Sequence, residues 1–184
     1  IVLTFPAPGY MAPEIYQLQI LSNLLGGGMS SRLFQEVREK RGLCYNVFAF
    51  GSSYEDVGQI GLYAAATPDH TAELLSVSSD VMMSATRAIA PVEVARAKAQ
   101  LKAALVMNLE SASSRADQIA RQYLAFGRVP RVSTLMEKIE AVSVDQVMAL
   151  ARQLFAQRMP ALSAVGQLSR LSSHSDVAAH FARS

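Results

Sequence analysis

The chain has 184 residues, of which 51% are hydrophobic and 17% charged, and its formal net charge is +2. This length suits one domain with its own core, and the weak charge without a clustered basic face argues against nucleic-acid binding. No apolar run reaches the roughly 18 residues that a membrane span needs. Charged residues fall below the roughly 25% of an average domain, so part of the apolar surface is expected to be covered, as in one half of a larger assembly.

The order of predicted elements indicates the fold class. Strands are predicted from β-branched or alternating runs and helices from apolar residues at a period near 3.6, with Gly and Pro marking ends. In chain order they are a strand at 1–5, helices at 13–26 and 30–42, strands at 43–53 and 57–67, helices at 67–89, 91–126, 131–141 and 143–157, and a strand at 161–165. This order predicts an α+β fold with an antiparallel or mixed sheet covered by helices. Residues 1–184 are expected to form a single domain, because no repeat or linker divides them.

Three of these predictions concern the ends and faces of helices. Ser30 can cap the second helix, which should bury Phe34 on its apolar side. The serines that begin at Ser111 could bend the long helix predicted over 91–126. The tail from Ser169 is polar, and no element is predicted there.

The search for a metal site or a nucleophile finds no candidate in this chain. The histidines are His70, His174 and His180, and the last two are six residues apart, so they do not share the i, i+4 face of a zinc-binding helix. A zinc site needs three or four suitably spaced ligands, and no metal ligand is predicted. The single cysteine, Cys44, permits no internal disulfide and is expected to be a buried strand residue.

The three consecutive glycines Gly26, Gly27 and Gly28 leave two interpretations open. They match neither the phosphate-loop pattern nor the dinucleotide-binding pattern, so nucleotide binding is not expected. They can stop a helix and allow a close approach of two backbones, which only glycine permits. Alternatively, they form a flexible loop that contacts an extended peptide.

Arg38 and Tyr45 are the candidate catalytic residues. Seven positions and a turn at Gly42 separate them, so both can face one edge of the domain. A guanidinium offers forked donors to a carbonyl or carboxylate, and a phenol can donate to a developing oxyanion. From spacing alone, the simpler interpretation is a solvated Arg38 paired with a nearby Glu and a half-buried Tyr45.

Residues 26–45 read GGGMSSRLFQEVREKRGLCY, which resembles the C-terminal half of the pitrilysin-type (M16) zinc peptidases in their bacterial and mitochondrial-processing-peptidase-like branch. Further matching segments are Phe5-Pro6 and residues 54–58, 61–63, 92–98, 121–122, 139–142 and 160–166, which together cover most of residues 1–168. The resemblance implies one M16 half-domain of the LuxS/MPP-like metallohydrolase type, in a protein whose two halves enclose a chamber. It also implies that the N-terminal half binds zinc through H-x-x-E-H and a further Glu, while this half holds the substrate.

The resemblance further implies roles for individual residues. An Arg and a Tyr seven residues apart in the family motif reach across to the active site, and they map onto Arg38 and Tyr45. Arg38 would bind the substrate backbone or its carboxylate side. Tyr45 would orient the substrate carbonyl or stabilise the tetrahedral intermediate, with a zinc-bound water and a Glu of the other half completing the reaction. The glycine segment 26–28 resembles, in shortened form, a loop linked to presequence recognition.

The expected function is that of the C-terminal domain of a zinc-dependent metalloendopeptidase that encloses peptides or small unfolded proteins, with this chain inactive alone. Its partners would be an N-terminal catalytic half or a separate catalytic subunit, the peptide substrate and, as a further option, a second copy in a homodimer. The alternative is a non-catalytic structural or assembly subunit. An unrelated binding module, for RNA for example, is disfavoured by the missing basic patch and aromatic motif. The expected compartment is the bacterial cytoplasm, with the periplasm left open because Ile1 is not an initiator Met.

Overall fold

The central sheet has four antiparallel strands in the order β2–β3–β1–β4 in the computed structural model, which describes residues 1–182. The strands are β1 (Val2–Pro8), β2 (Asn46–Ser53), β3 (Val57–Ala65) and β4 (Ala161–Ser163). In the register, Phe5 of β1 lies opposite Ile60 of β3 and Leu3 lies opposite Leu162 of β4. The predicted α+β fold is therefore confirmed, and its sheet is of the antiparallel kind.

Helices cover the sheet and supply most of the core. They are α1 (Ile15–Gly26), α2 (Thr71–Arg87), α3 (Pro91–Glu110), α4 (Ala112–Phe126), α5 (Val132–Glu140), α6 (Val144–Ala151) and α7 (His174–Phe181), with π-helical segments at Phe34–Glu39 and Arg152–Ala156 and a 3-10 turn at Pro68–His70. None of the helices in residues 1–182 has the length and apolar character needed to cross a bilayer. That residues 1–184 form one domain stays a prediction, and its last two positions lie outside the described residues.

The core follows from the alternation of side chains along β1. Leu3 and Phe5 are fully buried on one face of the strand, as a period of two requires. The Phe5 ring packs edge-on against Phe155 and Phe181, with ring centroids 5.1 and 4.8 Å away. Such edge-to-face contacts stabilise aromatic cores beyond the burial of their area. The first strand and the last helix are thus joined through Phe5.

Several predicted elements have different bounds in the structure; β1, for example, continues to Pro8 instead of ending at residue 5. The helix predicted over 91–126 is divided into α3 and α4 at Ser111, whose backbone is extended and whose hydroxyl accepts a hydrogen bond from the Ser114 N–H at 3.3 Å. A serine that caps a new helix ends the preceding one, because its N-cap conformation is not helical. β2 begins at Asn46 rather than at residue 43, since the chain first turns at Gly42.

The polar tail contains a helix that the sequence analysis missed. α7 begins with a capping box in which the Ser173 hydroxyl accepts from the Asp176 N–H at 3.2 Å and the Asp176 carboxylate accepts from the Ser173 N–H at 3.3 Å. Val177 and Phe181, four residues apart, are buried against the rest of the domain. The capping residues and this i, i+4 apolar pair are the sequence features from which α7 could have been predicted.

Candidate functional site

A short π-helical segment, Phe34–Glu39, carries Arg38. Its inner side is fixed by Leu33 and Val37, which are fully buried. Ser30 does not provide the predicted cap, because the chain enters the helix through a turn in which the Ser31 N–H donates to the Gly28 carbonyl at 3.0 Å. The prediction that Phe34 is buried is also wrong. Its side chain is only half-buried and lies beside Arg38.

Arg32 anchors the start of this segment to two other helices. Its Nε and Nη2 donate to the two carboxylate oxygens of Glu93, both at 2.7 Å, in a bidentate pair. Its Nη1 donates to the Ser84 hydroxyl and its Nη2 to the Ala88 carbonyl, both at 2.9 Å. Sequence reasoning missed this anchor because its partners lie more than 50 residues along the chain.

Loss of the Arg32 anchor is expected to destabilise the domain in a pH-dependent way. Glu93→Gln should lower the free energy of unfolding by about 2 kcal/mol at pH 7, less than for a fully buried pair, because the side chains of Arg32 and Glu93 keep 18% and 16% exposure. The hydrogen bonds from Arg32 hold the pKa of Glu93 below its ordinary value of 4.5, although burial opposes them. A lowered carboxylate pKa stabilises the fold above pH 4.5 and ceases to do so as the pH falls through the folded-state value.

Urea unfolding of the wild type and of Glu93→Gln between pH 3 and 8 measures this effect. The difference between their free energies of unfolding should shrink below pH 4.5. Glu137→Gln is the matched control, since Glu137 is exposed on α5, and it should change the free energy of unfolding by less than about 0.5 kcal/mol. A difference that stays constant down to pH 3 would contradict the ion-pair explanation.

The turn at Gly42 returns the chain from the π-helical segment to the sheet. Gly42 has a left-handed backbone with φ of 63°, a conformation that glycine adopts without steric cost. Its N–H donates to the Arg38 carbonyl at 3.0 Å, and the Tyr45 N–H donates to the Ala65 carbonyl at 3.2 Å. These bonds fix the backbones of Arg38 and Tyr45 on one edge of the domain, as predicted from their spacing.

The side chains of Arg38 and Tyr45 are in contact. The Arg38 Cζ lies 5.6 Å from the centroid of the Tyr45 ring and 4.7 Å from that of Phe34, within the range of cation–π attraction. Tyr45 is 85% exposed. Among residues 1–182, no carboxylate forms an ion pair with Arg38. The simpler interpretation, a Glu-paired Arg38 and a half-buried Tyr45, is therefore wrong in both parts.

Glu36, which precedes Arg38 by two residues, is already paired with other cations. Glu36 pairs with Lys40 and with Arg41, the latter at 2.8 Å, and their hydrogen bonds hold the pKa of Glu36 below its ordinary value. The neighbouring Cys44 is buried, as predicted, but it lies in the loop before β2 rather than in a strand. Burial raises the pKa of its thiol, with Arg38 opposing the shift. A thiol kept protonated in this way is a poor nucleophile.

The three glycines have three different environments. At Gly26 a Cβ would overlap the backbone nitrogen of Ala49 and lie 2.7 Å from its Cβ, so α1 ends against β2 in a close backbone approach. The Gly27 N–H donates to the Asn23 carbonyl at 2.7 Å, and Gly27 borders a groove of about 720 Å³ between α1, β2 and α4. At Gly28 a Cβ would meet nothing within 4 Å. A substrate-binding role of this segment stays a prediction.

The histidines of the chain do not come together in space. His174 has a ring nitrogen 2.8 Å from the Pro160 carbonyl, and His180 has one 3.4 Å from the carboxylate of Asp80. Within residues 1–182, no three of the side chains of His, Cys, Asp and Glu are grouped to hold a metal ion. The residues of this part of the chain therefore do not fit a zinc site.

Comparison with known proteins gives the class of protein. The family model described as "Peptidase M16 inactive domain" matches residues 1–101. An uncharacterized zinc protease of Mycobacterium tuberculosis is 40% identical over 152 residues, which cover 82% of this chain and 35% of that protein. One from Bacillus subtilis is 36% identical over 145 residues, covering 78% and 36%. The chain belongs to the M16 peptidase family, as a C-terminal half, and spans about a third of the length of the curated relatives it matches.

Solved structures share the fold. A protease from Helicobacter pylori superposes with a TM-score of 0.75 and 25% identity, over 84% of this chain and 37% of that one. A chain of complex III2 from Candida albicans superposes with a TM-score of 0.90 and 23% identity, over 98% of this chain and 45% of that one. The expected M16 half-domain fold is confirmed, and the curated relatives are named as zinc proteases.

Proposed function

We propose that this chain is the substrate-holding C-terminal half of a zinc-dependent metalloendopeptidase that encloses and cleaves peptides or small unfolded proteins. The zinc and the general base belong to an N-terminal catalytic half, on the same polypeptide or on a separate subunit, and no residue of this chain holds the metal. The relatives named as zinc proteases support this assignment. We further propose that the enzyme forms a homodimer and acts in the bacterial cytoplasm.

The observation that carries the proposal is the Arg38 guanidinium, which has no carboxylate partner among residues 1–182 and lies beside an exposed phenol. Lys40 and Arg41, which follow Arg38 closely in the chain, are both paired with Glu36. Arg38 and Tyr45 therefore present unused donors on one edge of the domain. We assign Arg38 to the peptide backbone or carboxylate of the substrate, and the Tyr45 hydroxyl to the carbonyl oxygen on which negative charge develops.

The proposal can be tested directly, because it places the zinc in one half of the enzyme and substrate binding in the other. The isolated chain of residues 1–184 is expected neither to cleave peptides nor to bind zinc specifically, because its ligands are too few. The full-length protein should cleave an unfolded protein or a quenched fluorescent peptide, lose that activity with a chelator and regain it with zinc. Adding the separately expressed N-terminal half to the isolated chain should restore cleavage.

Circular dichroism of the isolated chain provides the control, since a cooperative unfolding transition shows that inactivity does not come from misfolding. Zinc-dependent cleavage by the isolated, pure chain would refute the proposal. So would a full-length protein whose purified form binds no zinc and cleaves none of a broad peptide library.

A further inference from the structure

Phe34 stands out as an aromatic ring that the proposed function does not yet use. It precedes Arg38 by four residues in the π-helical segment, and its ring centroid is closer to the Arg38 Cζ, at 4.7 Å, than that of Tyr45, at 5.6 Å. Its backbone is held in place by the buried side chains of Leu33 and Val37 on either side. We propose that Phe34 is a positioning residue that holds the Arg38 guanidinium ready for the substrate, an inference that rests on the proposed function.

Contact with a ring positions a guanidinium without using its hydrogen bonds. Cation–π attraction acts through the face of the aromatic ring, whereas a carboxylate partner would occupy the N–H donors in a fork. Among residues 1–182, the side chain of Arg38 donates no hydrogen bond and forms no ion pair, and its guanidinium lies over the rings of Phe34 and Tyr45. All of its N–H donors therefore stay available for a carbonyl or carboxylate of the substrate.

The charges near Arg38 explain why its contact with the Phe34 ring matters. Arginine has a long, flexible stem, and without the ring its head could turn toward Glu36 or Glu39. Glu36 is held by Lys40 and Arg41, whereas the Arg38 guanidinium lies over the Phe34 ring. Arg38 thus stays without an ion pair, because its guanidinium contacts the Phe34 ring and because Glu36 is already paired.

A double-mutant cycle in the full-length enzyme tests this inference. Phe34→Leu should lower kcat/KM about fivefold, as expected for the loss of an exposed cation–π contact, with an unchanged midpoint of thermal unfolding. Phe34→Tyr keeps a ring and should stay within about twofold of the wild type, and Phe34→Met, an unbranched gap-filling side chain, replaces Phe34→Leu if that variant folds poorly. When Arg38 is already Ala, Phe34→Leu should have no further effect.

The control is Phe48→Leu. Phe48 is also a partly exposed ring, 40% accessible and stacked on Tyr63 with centroids 5.2 Å apart, but no cation of the described residues 1–182 lies over it. Phe48→Leu should therefore leave kcat/KM unchanged. If Arg38→Ala itself leaves kcat/KM unchanged, the proposed function fails. If Arg38→Ala lowers kcat/KM but Phe34→Leu does not, or if the two effects multiply in the double variant, the positioning role is overturned and the proposed function stands.

Discussion

Tyr45→Phe in the full-length enzyme is expected to lower kcat by about 10²- to 10³-fold, the range measured when one donor to a developing oxyanion is removed. The substitution deletes a single hydroxyl from a side chain that is 85% exposed. The ring over which Arg38 lies remains. Stability should therefore be unchanged, and KM should change little, because the lost hydrogen bond matters most when the carbonyl oxygen carries charge.

Steady-state kinetics on a defined peptide, with thermal unfolding measured in parallel, checks this result. Tyr123→Phe is the matched control, since Tyr123 is 62% exposed on α4, and it should keep the turnover of the wild type. Equal kcat values for the wild type and Tyr45→Phe would remove Tyr45 from the reaction. They would favour the structural or assembly subunit instead.

Gly26→Ala is expected to have the largest effect on stability among the glycine variants, about 3 kcal/mol, at the upper end of the cost of overpacking. The added Cβ would overlap the backbone of Ala49, which belongs to a strand and cannot move as a flexible side chain could. α1 would have to separate from β2, and apolar contacts around Leu25, which is fully buried, would be lost.

Gly28→Ala provides the comparison within the same segment. Nothing lies within 4 Å of the added Cβ, and the φ angle of Gly28 is not positive, so the free energy of unfolding should change by less than about 0.5 kcal/mol. Urea unfolding of both variants measures the difference. Equal destabilisation by the two substitutions would contradict the close approach at Gly26. Since Gly28→Ala leaves the fold intact, a change in its KM for peptides would report substrate contact by the glycine segment.

The pair Arg38 and Tyr45 could be predicted from the sequence because the two residues are close along the chain. Seven residues and one glycine turn connect Arg38 to Tyr45, so their common edge follows from the chain itself. The exposure of Tyr45 and the unpaired state of Arg38 were not accessible in this way. The unpaired state of Arg38 depends on whether Glu36 turns toward Arg38 or toward Lys40 and Arg41, and side-chain choices of this kind differ by small free energies.

Features that depend on distant residues were predicted less well. The sheet and the main helices followed from the period of apolar residues, which each segment carries in itself. The anchor between Arg32 and Glu93 joins parts of the chain that only the folded state brings together. α7 was missed because it has only eight residues, of which Val177, Ala178 and Phe181 are buried, and it is stabilised mainly by packing against the domain.

The position of β1 has a consequence for biosynthesis. β1 comes first in this chain, yet its second neighbour in the sheet, β4, and the Phe181 ring on its inner face come from the other end. While a ribosome is still producing the intervening helices, Leu3 and Phe5 lack these partners, and an unpaired strand edge is a site for association with other chains. Contacts between such distant segments also slow folding. We therefore expect truncation before Ala161 to yield chains that depend on chaperones and aggregate, even though the Arg38–Tyr45 segment would be intact.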